Sequence, residues 1–280
     1  MCRPAKAGRY VLVLLLAAMA VPSAQEPATT AATQSALDQI LDLYVRDGFV
    51  YYRALKSDRG RLDRYIGQLA AADVGGLPRD GQLAFWLNAY NALVLRTVID
   101  RYPIEGRAPA YPPHSVRQIP GAFERLPHRL AGRSLTLDDI EQKMLPEFHD
   151  PRVYLALGRG AVGSGRLRSE AFVPERLETQ LGEVAAECAS RPVCVQVDRA
   201  NNKVLASPIF SWREKEFSAA YGGAASALFA TRSPIERAVL SFIEPRLLSA
   251  ERQFLAENTF QVAYQPFDWS LNDLTGRGGR

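Results

Sequence analysis

Histidine is scarce: His114, His128 and His149 are the three in 280 residues. None stands at metal-ligand spacing from another, so the sequence offers no zinc site and we expect neither metal nor cofactor. Cysteine is equally scarce, with Cys2, Cys188 and Cys194. That excludes a disulfide-rich scaffold and a C-x-x-C redox or zinc motif. No internal repeat, heptad pattern or low-complexity tract is present. Beyond Tyr10–Val21 there is no apolar run that approaches membrane length, and that run itself is too short to span a bilayer. Charge of one sign does not dominate either: 34 basic against 30 acidic residues leaves +4.

What is there begins with an export pattern. Arg3, Lys6 and Arg9 precede the apolar run, and small residues ending at Ser23-Ala24 follow it. This is the layout of a secretory signal peptide. We expect a signal over 1–24, a flexible leader over 25–34 and a single domain over 35–280, in a bacterial periplasm or extracellular. The signal takes three positive charges with it, so the mature chain is about +1 (4 − 3). Neither nucleic acid nor an anionic membrane is then an expected partner, and no stable span remains after cleavage. Export makes a disulfide between Cys188 and Cys194 plausible, tying a helix end to the next strand.

Along the mature chain, Leu37, Ile40, Leu41 and Tyr44 share a helical stripe over Ser35–Asp47, and Phe49–Tyr52 reads as a short strand. Leu62, Tyr65, Ile66 and Leu69 mark a second helix. Asp80–Tyr102 is apolar almost all round, the pattern of a buried central helix. Ile104–Leu126 is proline-rich and irregular, a long surface loop. A hairpin turns at Ala131-Gly132. Thr136 and Asp139 form a capping box for a helix to Phe148. Val153–Leu157 reads as a strand and Pro174–Ser190 as a helix. A second hairpin joins "VCVQVD" to "KVLAS". Trp212–Tyr221 is helical, and Ser233-Pro234-Ile235-Glu236 opens another helix. A strand and a turn close the chain. The prediction is an α+β fold, a helix-rich domain around a small, mainly antiparallel sheet with hairpins.

The chemically suggestive stretch is "VYLALGRGAVGSGRLRSEAF", Val153–Phe172. Gly158, Gly160 and Gly163 spell G-x-G-x-x-G, but the next helix starts about ten residues too late for a dinucleotide fold. Ser164 stands where a P-loop needs lysine, and its flanking glycines are too close for a hydrolase elbow. Arginines 152, 159, 166 and 168 crowd the loop. Guanidinium forks and exposed amides suit an anion, while Glu170 and Glu175 could equally neutralise them. Asn88 and Asn91 share one face of the central helix, either bracing loops or lining a pocket with the glycine loop. Tyr90 points elsewhere and reads as core. Trp212 and Trp269 read as packing residues, and Asp268 and Asp273 as turn caps.

Six segments occur in order: "VRDGFVYYRALKSDRGRLDRYIGQLA", "AFWLNAYNALVLRTVI", "LTLDDIE", "DPRVYLALGRGA", "IFSWREKEF" and "PFDWSLND". Together they resemble the domain of unknown function 547 family, from about Leu37 to Leu274. The resemblance implies a histidine at position 154, cysteines at 159 and 164 with a proline after them, and an aspartate at 51. Here Tyr154, Arg159, Ser164 and Tyr51 stand there instead. A thiolate is a strong nucleophile and soft ligand, whereas serine is neither without a base.

Two readings follow. In the first, the chain is a degenerate family member that has lost its thiol site. It would bind a small anionic ligand through Arg159, Gly160, Gly163, Arg166 and Arg168, with Asn88, Asn91 and Tyr154 beside them. In the second, Ser164 is the nucleophile of a hydrolase or acyltransferase. His114 or His128 would be its base, and the amides of Gly163 and Gly165 an oxyanion hole. Protein partners are not indicated.

Overall fold

In this computed structural model the described residues are Met1, 28–223 and 227–275. The signal expected over 1–24 therefore lies, Met1 apart, outside the described residues. Helix α1 (Ala28–Tyr44) starts seven residues before the expected Ser35. The chain then turns through β1 (Val45–Arg46) and β2 (Phe49–Val50). Asp47 and Gly48 both take positive φ, 49° and 81°, the backbone of a tight two-residue hairpin turn. The expected strand ends early, because Tyr52 opens α2 (Tyr52–Ser57) and α3 (Gly60–Ala70) follows.

The central helix is α4 (Arg79–Arg101), and its buried residues include every position from Leu87 to Leu95. It ends before Pro103, as expected. Residues 104–126 are irregular apart from one 3-10 turn at Val116–Gln118. They are not only a surface loop, however: Val116, Ile119, Ala122 and Phe123 are buried against the core. Strands β3 (His128–Leu130) and β4 (Arg133–Leu135) form the predicted hairpin about Ala131-Gly132.

The capping box at Thr136 is present, with reciprocal bonds to Asp139. It opens α5 (Leu137–Asp139), which runs on as a π turn over Ile140–Met144 and a 3-10 turn over Leu145–Phe148.

Val153–Leu157 is not a strand. Pro151–Leu155 forms a 3-10 helix, and the Asp150 side chain accepts a hydrogen bond from the Arg152 amide at 3.0 Å. The run is buried on all sides, and a short, uniformly apolar run has no period to separate strand from helix. Helix α6 (Leu177–Ser190) follows a 3-10 turn at Pro174–Arg176. The Cys188–Cys194 disulfide ties its end to the start of β5 (Val195–Asp198), with Cα atoms 5.2 Å apart.

Strand β6 (Lys203–Ala206) pairs antiparallel with β5. On its other side it pairs parallel with β7 (Gln261–Tyr264), Val204 opposite Val262. Between β6 and β7 lie α7 (Ile209–Trp212), α8 (Glu214–Tyr221), α9 (Pro234–Ile243) and α10 (Ser249–Glu257). The Ser233 capping box starts α9 as predicted. The result is the expected α+β architecture: helices around small sheets of two or three strands, mostly antiparallel.

The last described segment positions the loop of interest. Ser270 O accepts from Val162 N at 2.9 Å, and Asp268 O accepts from Gly163 N at 2.8 Å. On its far side Asn272 O accepts from Val50 N at 2.9 Å. The segment is thus laced to the glycine loop and to the β1–β2 hairpin.

Candidate functional site

The loop from Gly158 to Arg168 leaves the 3-10 helix directly against α4. Asn91 grips it, its Oδ1 accepting from Gly158 N at 2.8 Å and its Nδ2 donating to Ala156 O at 3.2 Å. Three residues earlier, Asn88 makes the same two-point grip on Phe172, with bonds of 2.8 and 2.9 Å. Both amides are buried and fully engaged by main chain, so they brace the two ends of the loop. That settles the cost of burying them, since each has a partner for donor and acceptor.

The glycines are steric requirements. A Cβ on Gly165 would sit 1.5 Å from Leu155 O, and one on Gly163 would sit 2.7 Å from Asp268 N. Gly160 has φ of 67°, and its carbonyl accepts from Asn272 N at 3.3 Å. Close backbone approach explains the motif.

Arg159 turns inward and is 3% exposed. Its Nη2 lies 2.7 Å from Glu141 Oε1, and its Nη1 donates to Tyr154 O at 3.2 Å. Arg213, from the link between α7 and α8, reaches the same Glu141 oxygen at 2.8 Å. Tyr90 donates its hydroxyl to Glu141 Oε2 at 3.2 Å. Arg213 also lies over the Tyr154 ring, 4.3 Å from its centre. Burial alone would push the Glu141 carboxyl up, but Arg159 and Arg213 overcome it and bring its pKa down to about 2. Burial raises both tyrosines, Tyr90 and Tyr154, above the usual phenol value. Neither phenol is a base at neutral pH.

Ser164 is buried, and its Oγ accepts from Arg159 N at 3.1 Å. Among the described residues the histidines make no hydrogen bond to the loop. His114 Nδ1 meets Ile104 O at 2.6 Å. His128 Nε2 is buried with no partner, and His149 is exposed in a left-handed cap. No imidazole hydrogen-bonds Ser164 among the described residues. The Gly163 amide, expected in an oxyanion hole, is occupied by Asp268 O.

The remaining loop arginines are paired. Arg166 meets Glu187 at 2.8 Å and Asp47 at 3.1 Å. Arg168 holds Glu170, and Glu183 at 2.5 Å. Arg152 holds Asp150 and Glu178, each at 2.7 Å. Neutralisation by local carboxylates is therefore what the loop shows, with Glu183 and Glu187 in place of the expected Glu175.

Around the far end, Trp269 packs with Trp212, Phe267 and Tyr111, and Arg117 covers it at 4.6 Å. Trp212 is more open than a packing residue should be, at 46% exposed. Asp268 and Asp273 cap turns through Ser270 N and Thr275 N, at 2.9 and 3.0 Å.

Sequence reasoning missed Glu141 and Arg213. Glu141 carried a signal: it continues the buried stripe of Leu137 and Ile140, where a lone carboxylate must have a cationic partner. Among the described residues, no set of three or more His, Cys, Asp or Glu side chains is placed to hold a metal ion. No described helix is long and apolar enough to cross a membrane.

Residues 74–187 match the family described as protein of unknown function, DUF547. The matched segment contains the asparagine-bearing helix, "LTLDDIE" and the glycine loop, whereas "IFSWREKEF" and "PFDWSLND" lie outside it. No curated protein and no solved structure matches the chain.

Proposed function

We propose that this chain, whose residues 74–187 match the DUF547 family, is an exported, non-catalytic binding domain for a small anionic molecule. One observation carries the reading. Arg159 stands where the resemblance implies a cysteine, and its guanidinium is buried between Glu141 and the Tyr154 carbonyl. A position suited to a nucleophile is occupied by an internal strut. Tyr154, where a histidine is implied, forms the other wall of the same ion cluster. Export is supported by the basic and apolar start of the sequence and by the disulfide, which persists in oxidising compartments.

The anion would have to displace a carboxylate to reach Arg159, Arg166 or Arg168. The loop therefore supports the reading as framework, and the ligand belongs where cations are unpaired.

Two measurements test it. A serine-directed fluorophosphonate should label wild type and Ser164→Ala equally, which is to say not at position 164. Label that disappears in Ser164→Ala would restore the hydrolase. A thermal-shift screen of small carboxylates and phosphates should find at least one stabilising anion; a screen with none would remove the binding role.

A further inference from the structure

A cavity of about 660 Å³ opens between α3, the second half of α4 and the start of β3. It is separate from the glycine loop, and its lining combines three kinds of surface. Ile66, Leu93 and Leu126 give an apolar wall. Thr97 and His128 give polar atoms, and Arg101 and Arg129 stand exposed on its lining.

The polar atoms are unusual. Thr97 is 4% exposed, yet its Oγ1 has no hydrogen-bond partner. A helical threonine ordinarily satisfies its hydroxyl on a carbonyl one turn back. His128 Nε2, in the same cavity, is also buried without a partner. Each such atom destabilises the fold while it is unsatisfied. Burial, and then the neighbouring Arg96, lowers the His128 pKa, so its ring is neutral at pH 7.

The charges sort just as clearly. Arg96 is engaged with Asp63 at 2.8 Å and Asp100 at 3.0 Å. Arg59 holds the same two carboxylates, at 2.9 and 2.6 Å. This cage neutralises the acids of the cavity. Arg101 and Arg129 have no carboxylate within ion-pair distance among the described residues, in contrast to every arginine of the glycine loop.

We infer that this cavity binds a small organic carboxylic acid. The carboxylate meets Arg101 and Arg129. The apolar body lies on Ile66, Leu93 and Leu126, and a second polar group reaches Thr97 Oγ1 and His128 Nε2. The inference rests on the binding-domain reading and gives it a ligand class and a place. Arginine forks match carboxylates, and a cavity of this size suits a molecule of one or two rings.

The test is calorimetric titration of the whole protein with benzoate, 3-phenylpropionate, 4-hydroxybenzoate, 4-hydroxybenzyl alcohol and inorganic phosphate. At least one of the three carboxylates should bind, 4-hydroxybenzoate more tightly than benzoate, and the alcohol should not. Arg129→Ala should weaken that binding about tenfold and Thr97→Val about three- to tenfold, as expected for a charged and a neutral hydrogen bond. Thr97→Val should melt no lower than wild type, because it removes an atom that has no partner. Binding by none of the carboxylates, or by phosphate alone, would overturn the assignment. So would affinity unchanged in both variants. If affinity survives in both but falls in Arg166→Ala, the ligand sits at the glycine loop: this site is then wrong and the binding-domain reading stands.

Discussion

A guanidinium at position 159 can be buried because Glu141 is buried with it, and Glu141 is shared with Arg213. Removing one partner of such a cluster strands a charge. Replacing all of it with apolar groups removes the desolvation cost as well. Arg159→Met should therefore lower stability to urea by about 3–5 kcal/mol. The triple variant Arg159→Met, Glu141→Leu, Arg213→Met should recover most of that loss. A single variant within about 1 kcal/mol of wild type would mean that water already reaches the cluster. The carboxylate gives a second prediction. Its pKa is depressed from 4.5 to about 2, so the unfolded chain binds this proton first as pH falls. The stabilisation is complete above pH 4.5 and is lost on the way down to pH 2, on the order of 3 kcal/mol. Urea unfolding between pH 6 and pH 2.5 should show that decline, and Glu141→Gln should flatten it. The sequence made Arg159 conspicuous by its place in the loop. It could not show which way the side chain turns, because the carboxylate that draws it inward lies eighteen residues earlier.

At the scale of elements, local chemistry was legible wherever a few neighbouring residues decide the outcome. Thr136 with Asp139 and Ser233 with Glu236 formed the capping boxes that their spacing predicts. Ala131-Gly132 turned the hairpin. The apolar run at Val153–Leu157 was not legible, because burial on all sides erases the period that separates strand from helix. The glycine loop failed as a motif for the same kind of reason: its glycines answer to distant backbone. Gly165 and Gly182 should therefore behave oppositely. Gly165→Ala places a methyl 1.5 Å from the Leu155 carbonyl oxygen, and displacing that backbone should cost more than about 3 kcal/mol, in the range of severe core overpacking. Gly182 lies within α6 with nothing within 4 Å of its added methyl. Gly182→Ala should raise stability by about 0.5–1 kcal/mol. Paired thermal melts decide it, and a neutral Gly165→Ala would mean that the loop is free to move away from the 3-10 helix.

Across the whole molecule, the segment after β7 joins parts that are far apart in sequence. Asn272 is its central fastener. Its Oδ1 accepts from the Tyr52 hydroxyl at 2.7 Å, and its Nδ2 donates to Gly48 O at 2.8 Å. Its own amide reaches Gly160 O and its carbonyl reaches Val50 N. One residue thus holds the first hairpin and the glycine loop against each other. Asn272→Ala removes two side-chain bonds and leaves the fully buried Tyr52 hydroxyl without a partner, which should cost about 2–4 kcal/mol. The cost should also be shared at a distance. Amide exchange at Val50, Val162 and Gly163 should accelerate together, because their acceptors all lie on this segment. Asp268→Ala, which removes a turn cap on exposed chain, should leave Val50 unaffected. If Asn272→Ala speeds exchange only at its immediate neighbours, the hairpin and the loop are held independently. The segment after β7 would then be a covering strand rather than the fastener of the glycine loop.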